Sequence, residues 1–428
     1  MSKFIDSDEG IPQELVPFSV KSTQVVIKDV KEVRYLPINS FDTSDTINFE
    51  IPPQPNLMIK KVEVVSKFKV LKETATGTTN LADDEQVTLV SNPAHALWKQ
   101  VDILLNNKYP LTNPMQQSSN YESFFATVLN ADQDREDMLY NNQGFLLDKG
   151  ADKAKADDIK NDGAKKRAEL ISKSKSVTLI SDLYCTLFKG SKRLIPNLEF
   201  TVSLTKNNPE FVLMTPGTKK FRIKFERVYL KVTYIQPEPF YLPLLEERMK
   251  TSPAIYEGHK TEISTFGIQN GVTKYLFNNI VRGALPHFMV FCIQDRTAIS
   301  GSYGTNPYTF HPFKSIQIYV NNQEYFAEPL EASSEDDTLM LNHFYESLGY
   351  DVKGTCLINR ENFRAHFMVP VALSRDRTVK FHHNLQEIVD FKVLIEFEDE
   401  TTADQVLMVY SAYNQIIKID GERNVIRI

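Results

Sequence analysis

The chain has 428 residues, 42% of them apolar and 11% aromatic, with three cysteines and a net charge of −6. That length exceeds the ~250–300 residues at which a single core stops growing, so two or three domains are expected, and the apolar content argues against global disorder. A deficit of Lys and Arg, with a pI near 5.9, excludes a nucleic-acid wrapper that works by neutralising phosphates.

In chain order, Met1 to Pro17 is acidic and lacks the apolar core of a secretory signal, and no window approaches the ~18 apolar residues of a membrane span. Cys185, Cys292 and Cys356 lie in or beside apolar runs, so reduced, buried thiols in a cytosolic or nuclear setting are expected. Residues 1–22 read as a polar arm. Strands are predicted at Gln24–Ile27, Glu32–Ile38, Thr46–Ile51, Leu57–Val70, Val87–Val90 and Lys99–Leu105. Residues 120–130 carry Tyr121, Phe124, Phe125, Val128 and Leu129 on one helical stripe, and another helical turn or two is expected over Gln133–Tyr140.

Residues 148–176 differ in kind: 15 of these 29 are charged, so a solvated helix or mobile excursion is expected. Strands resume at Val177–Ile180, Leu183–Leu187 and Leu198–Leu204. From Lys219 to Ile235 the apolar positions switch parity, from Phe221, Ile223 and Phe225 to Val228, Leu230, Val232 and Tyr234. Side chains alternate with period two, so this predicts a bulge near Glu226-Arg227. Prolines 237, 239, 243 and 253 mark a linker around a short helix at Leu242–Met249. Beyond it, strands are predicted at Lys260–Ile268, Thr273–Ile280, His287–Ile293, Phe367–Leu373, Val389–Phe397 and Gln405–Ala412. A helix is expected over Asp337–Leu348, and a terminal hairpin turning at Asp420-Gly421.

One stretch occurs twice. Trp98-Lys-Gln-Val-Asp-Ile-Leu-Leu-Asn-Asn107 returns 215 residues later from Phe313 to Asn322, each copy an aromatic, a lysine, a short β-type run and an Asn-Asn pair. Further along, Phe200–Thr205 matches Phe391–Glu396 at an offset of only 191, so the first copy carries extra residues between, and the charged segment has the right size and place. The reading is an all-β chain of two tandem eight-stranded jelly rolls, each with a short inserted helix. The expected domains are an arm at 1–22, a first roll at 23–236 with the charged insertion 148–176, a linker at 237–253, and a second roll at 254–428. Deletion of 150–163 is expected to leave both rolls folded.

Candidate chemistry is weak throughout. His382-His383 are adjacent, so on a strand they point to opposite faces and cannot grip one metal. The loop Gly301–Pro307 leads into a strand, not a helix N-terminus, so it is an inter-strand loop and not a phosphate cradle. Lys165-Lys166-Arg167 sits among acids and reads as an exposed mixed-sign face. Asp336-Asp337 and Asp83-Asp84-Glu85 read as solvated turn charge. No catalytic, cofactor-binding or metal residue is assigned and no cofactor is expected; the chain is read as a non-enzyme that binds or assembles.

Longer phrases carry a resemblance. Residues 101–114 (VDILLNNKYPLTNP), 120–140, 166–188, 258–313 and 406–428 (VLMVYSAYNQIIKIDGERNVIRI) resemble the double jelly-roll major capsid proteins of Polinton (Maverick) elements and adintoviruses. The likeness runs from about residue 55 to the end. It implies a hexon-like homotrimer of six upright rolls that tiles an icosahedral shell around double-stranded DNA, in the lineage of adenoviruses and tectiviruses. It also implies neighbouring capsomers, penton and minor capsid proteins as partners, and a virion location after assembly in the host nucleus or cytoplasm. Tyr303, Tyr308 and Phe310 are expected in an ordered, partly buried loop at an inter-roll or inter-chain contact. A lectin-like β-sandwich binding module is the alternative; a cupin-type enzyme comes third, lacking clustered histidines.

Overall fold

The computed structural model describes residues 23–83, 85–113, 118–149, 161–190, 192–216, 219–281, 283–301, 306–349, 355–374, 387–401 and 405–427. Among the described residues the frame is sixteen antiparallel strands in two sets of eight, with a few shorter strands beside them. The first set is β1 (Ile27–Tyr35), β2 (Thr46–Ile51), β3 (Met58–Thr74), β4 (Trp98–Leu105), β5 (Tyr109–Pro110), β6 (Val177–Asp182), β7 (Phe200–Lys206) and β8 (Phe221–Pro237). The second is β9 (Ala254–Gly267), β10 (Lys274–Asn278), β11 (Phe288–Asp295), β12 (Ser315–Val320), β13 (Gln323–Glu324), β14 (Val369–Ala372), β15 (Phe391–Glu396) and β16 (Gln405–Ile419).

Each set forms two sheets in the same order. In the first, β1-β8-β3-β6 faces β2-β7-β4-β5; in the second, β9-β16-β11-β14 faces β10-β15-β12-β13. Two units with one strand order, each strand related to the one eight places on, are the tandem jelly rolls that the repeated phrase predicts.

Local chemistry explains several joins. Asn106 and Asn107 after β4 have φ of 51° and 53°, and Asn321 and Asn322 after β12 have 52° and 61°. Asparagine tolerates the left-handed region, and two such residues make the turn whose twist matches a hairpin. The parity switch in β8 is met by a register shift against β3 between Phe225 and Arg227, so the apolar residues on both sides of it stay on the core face. β11 is buried along its whole length. Phe291 stacks on Phe391 inside the second roll, 6.4 Å between ring centroids, while the opposite face meets the first roll.

Among the described residues five longer helices lie outside the sheets: α1 (Ser119–Asn130), α2 (Glu136–Gln143), α3 (Asp162–Ile171), α4 (Tyr241–Met249) and α5 (Thr338–Leu348). α1 and α5 occupy equivalent places, each following the Asn-Asn hairpin of its roll. α1 buries Tyr121, Phe124, Phe125 and Val128; burial stabilises by about 1.5–3 kcal/mol per such side chain, enough to hold the helix without a side-chain N-cap.

Several expectations need correcting. Gln24–Ile27 and Glu32–Ile38 are not two strands, because the chain runs through both as the single strand β1. Glu85 and Asp337 are not solvated turn charge: their side chains are buried, Glu85 against Lys72 and Lys219 and Asp337 against Arg364. Leu183–Leu187 is not a strand: the chain leaves β6 at Asp182 and makes a short helix at Thr186–Lys189. The charged segment is not a solvated excursion over its second half, because α3 buries Gly163, Ala164, Arg167 and Ile171. The three cysteines are unbridged and buried, and the C-terminal hairpin pairs Val425–Arg427 with the end of β16. His382, His383 and Tyr303 lie outside the described residues. Among the described residues no helix is long and apolar enough to cross a membrane.

Candidate functional site

The structural feature that dominates the chain is the joint between the rolls. α1 of the first roll lies on the outer face of the β9-β16-β11-β14 sheet of the second. Phe125 sits 5.3 Å from Tyr410 and stacks on Phe310 at 5.8 Å, and Phe124 stacks on Tyr308 at 4.6 Å. The Tyr121 hydroxyl donates to the Pro307 carbonyl at 3.2 Å. Tyr308 is fully buried and Phe310 nearly so, which puts both at an inter-roll contact as expected. Burial also drives the Tyr308 hydroxyl well above the ordinary tyrosine pKa.

Beside these rings lies a buried polar cluster. Arg167 Nη2 reaches Asp148 Oδ1 at 2.5 Å, its Nε donates to the Leu89 carbonyl at 2.8 Å, and its Nη1 to the Leu146 carbonyl at 2.5 Å. The other Asp148 oxygen accepts from Asn306 Nδ2 of the second roll at 2.5 Å. Arg167, Asp148 and Asn306 are each 0% exposed, so the reading of 165–167 as an exposed face is wrong for Arg167. Its planar fork serves a carboxylate and two carbonyls from three separate nitrogens in fixed directions, whereas a lysine would have to draw all three acceptors onto one nitrogen.

Backbone detail makes room for this cluster. Asn161 caps α3 by accepting from the Ala164 amide at 3.2 Å, and a Cβ at Gly163 would stand 2.5 Å from the Leu147 carbonyl. Asn161 and Gly163, within the 150–163 segment, are therefore part of the core, while Asp162 between them is exposed. Gly301, with φ of +82°, comes from the second roll, and a Cβ there would meet the Phe211 backbone of the first at 2.9 Å.

An open cleft of about 700 Å³ runs between the rolls, walled by α1, α2, β3, β6, β9 and β16. Its charges are largely paired: Lys61 reaches Glu63 at 2.7 Å and Asp182 at 3.1 Å, and Lys189 reaches Asp182 at 2.9 Å. Glu122 keeps part of its surface open to the cleft. Burial raises its carboxyl to about 7, opposed by a hydrogen bond from Thr261 and reinforced by the charge of Glu262. Among the described residues no group of three or more His, Cys, Asp or Glu side chains could hold a metal ion.

Nothing in the residue pattern signals that Arg167, Asp148 and Asn306 meet. The separations of 19 and 158 residues have no periodic signal, and only the sheet topology joins them.

No protein-family model matches the chain. An uncharacterised protein from Caenorhabditis elegans is 20% identical over 364 residues, covering 78% of this chain and 80% of that one. Among solved structures, a chain of the Sputnik virophage determined by cryo-EM superposes with a TM-score of 0.69 at 13% identity, covering 98% of this chain and 92% of its own. The mavirus major capsid protein gives 0.60 at 13% identity, with 100% and 96% covered. The fold is the double jelly roll of viral major capsid proteins.

Proposed function

We propose that this chain is a major capsid protein that assembles as a hexon-like homotrimer, each chain supplying two of six rolls. The observation that carries the reading is the pair of like-ordered rolls locked by a buried joint, in a chain that spans the mavirus major capsid protein almost end to end. Such a brick presents a pseudo-hexagonal outline, suited to tiling an icosahedral shell around double-stranded DNA. Its neighbours would be other capsomers, penton and minor capsid proteins, and its place the virion. The net charge of −6 fits a wall that encloses DNA without condensing it. The capsid proteins of Polinton elements and adintoviruses are the branch we favour, on the phrases quoted above and on the relative found in an animal.

The joint supports assembly over catalysis. Its buried groups are committed to holding two rolls in one orientation, and a tile must be rigid before it can repeat. Sedimentation and negative-stain imaging of the purified protein test the reading. A particle of three times the 49.1 kDa chain mass with a hexagonal outline is expected. A stable monomer overturns the proposal and favours the lectin-like binding module.

A further inference from the structure

The cleft between the rolls holds a carboxylate that the joint does not use. Glu122, on the cleft side of α1, accepts a hydrogen bond from Thr261 of β9 and makes no ion pair with Lys or Arg among the described residues. The lysines around it are already paired: Lys61 and Lys189 with Asp182, and Lys260 with Glu262 at 2.5 Å. Two further polar groups open on the same cleft. Gln143 of α2 is 8% exposed, and its Oε1 accepts no hydrogen bond among the described residues. Tyr410 of β16 is 6% exposed and feels the charge of Glu122; its hydroxyl makes no hydrogen bond among the described residues. Buried polar groups without partners are costly, so a ligand that supplies the missing donors is favoured.

We infer that the cleft binds a primary ammonium group on an aliphatic stem. Glu122 is its counter-ion, the Tyr410 hydroxyl a second acceptor, and Gln143 Oε1 the acceptor for a donor further along the ligand. This goes beyond the capsid reading and does not rest on it.

The donor set selects an organic cation. Calcium and magnesium draw on several hard oxygens, commonly with more than one carboxylate. Here a single carboxylate stands with neutral oxygens, and no group among the described residues could hold a metal ion. An ammonium needs one counter-charge and donates three hydrogen bonds. The stem also has a place. Met138, 45% exposed, and Ala126 line the cleft on α2 and α1, and a thioether side chain adapts to a flexible aliphatic chain. A free diamine and the lysine of a partner protein carry this same chemistry, and the experiment separates them.

Protons compete for the carboxylate. Burial raises Glu122 to about 7, against the Thr261 hydrogen bond and with the help of Glu262. Its ionised fraction therefore climbs about tenfold from pH 6 to pH 8, and the ammonium binds the ionised form. The groups facing it from the first roll are His95, Tyr184 and Asp182. Burial takes His95 down to about 3 and Tyr184 up to about 12, and Asp182, despite burial, is held below the usual carboxylate range by Lys189 and Lys61. From the second roll, burial raises Tyr410, and Glu262 is paired with Lys260. Arg135 is exposed at the rim, and His259 lies two residues before Thr261 on the same face of β9.

The test is isothermal titration calorimetry on the full chain at low salt, with cadaverine and with a capped Ala-Lys-Ala peptide, at pH 6 and pH 8. Saturable binding of at least one probe is expected, about tenfold tighter at pH 8. Glu122→Gln is expected to weaken it by about tenfold or more at pH 8. Glu422→Gln, an exposed acid on the terminal hairpin, is expected to bind as wild type does, and His259→Gln to keep the pH dependence. The pH dependence of the unaltered chain needs no variant to fold. Tighter binding of cadaverine identifies a free diamine as the ligand, and tighter binding of the peptide identifies a partner's lysine. No saturable binding of either probe, equal affinity at the two pH values, or equal losses in Glu122→Gln and Glu422→Gln overturns the assignment. The capsid reading stands on particle size and outline and survives each of those results.

Discussion

Removing the Arg167 guanidinium tests how the charged segment is tied to both rolls. In Arg167→Met, Asp148 keeps its charge at a fully buried site and loses the only cation it pairs with among the described residues, the Leu146 carbonyl loses its side-chain donor, and the Leu89 carbonyl keeps only the longer bond from the Thr88 hydroxyl among its side-chain donors. Breaking one side of a buried ion pair costs about 3–5 kcal/mol, most of it the uncompensated charge. Arg167→Met with Asp148→Asn removes that charge and leaves an amide oxygen for Asn306, so the cost should fall to about 2 kcal/mol, the order of a lost buried hydrogen bond or two. Urea unfolding followed through Trp98 reads this directly, since the lone tryptophan is 2% exposed and stacks on Phe225 at 5.4 Å in the same roll. A midpoint shift worth under about 1 kcal/mol in Arg167→Met, or equal costs in the single and double variants, refutes the claim that buried charge dominates.

Glu122 makes the stability depend on pH. Its folded-state value of about 7 lies above the ordinary carboxylate value of 4.5, so the folded chain holds the extra proton between them and stability falls as pH rises through that window. The loss is up to roughly 3 kcal/mol at 1.4 kcal/mol per unit. Thermal melts of wild type and Glu122→Gln should converge near pH 4.5 and diverge by pH 8 with the variant the more stable; parallel curves would show that the carboxyl is not desolvated. Tyr308 separates packing from polarity. Tyr308→Ala should cost about 3–5 kcal/mol in urea unfolding by emptying the space against Phe124, while Tyr308→Phe should change stability by under about 1 kcal/mol. Similar losses in both would mean that the hydroxyl, and not the ring, holds the joint.

Features fixed by neighbouring residues were legible in the sequence. The bulge at Phe225 to Arg227 follows from side-chain parity, and the Asn-Asn turns from the backbone tolerance of asparagine. The repeat exposed the two rolls because a doubled unit keeps its strand pattern. What failed was whatever depends on partners far along the chain. Arg167 stands among lysines and acids, and its neighbours give a solvated surface; its burial comes from Asp148, Leu89 and Leu146, which topology alone brings near. Leu183–Leu187 has the composition of a strand, yet it turns into a helix because β6 ends at Asp182, itself held by Lys61 and Lys189. The cleft was invisible for the same reason, since its walls come from both rolls.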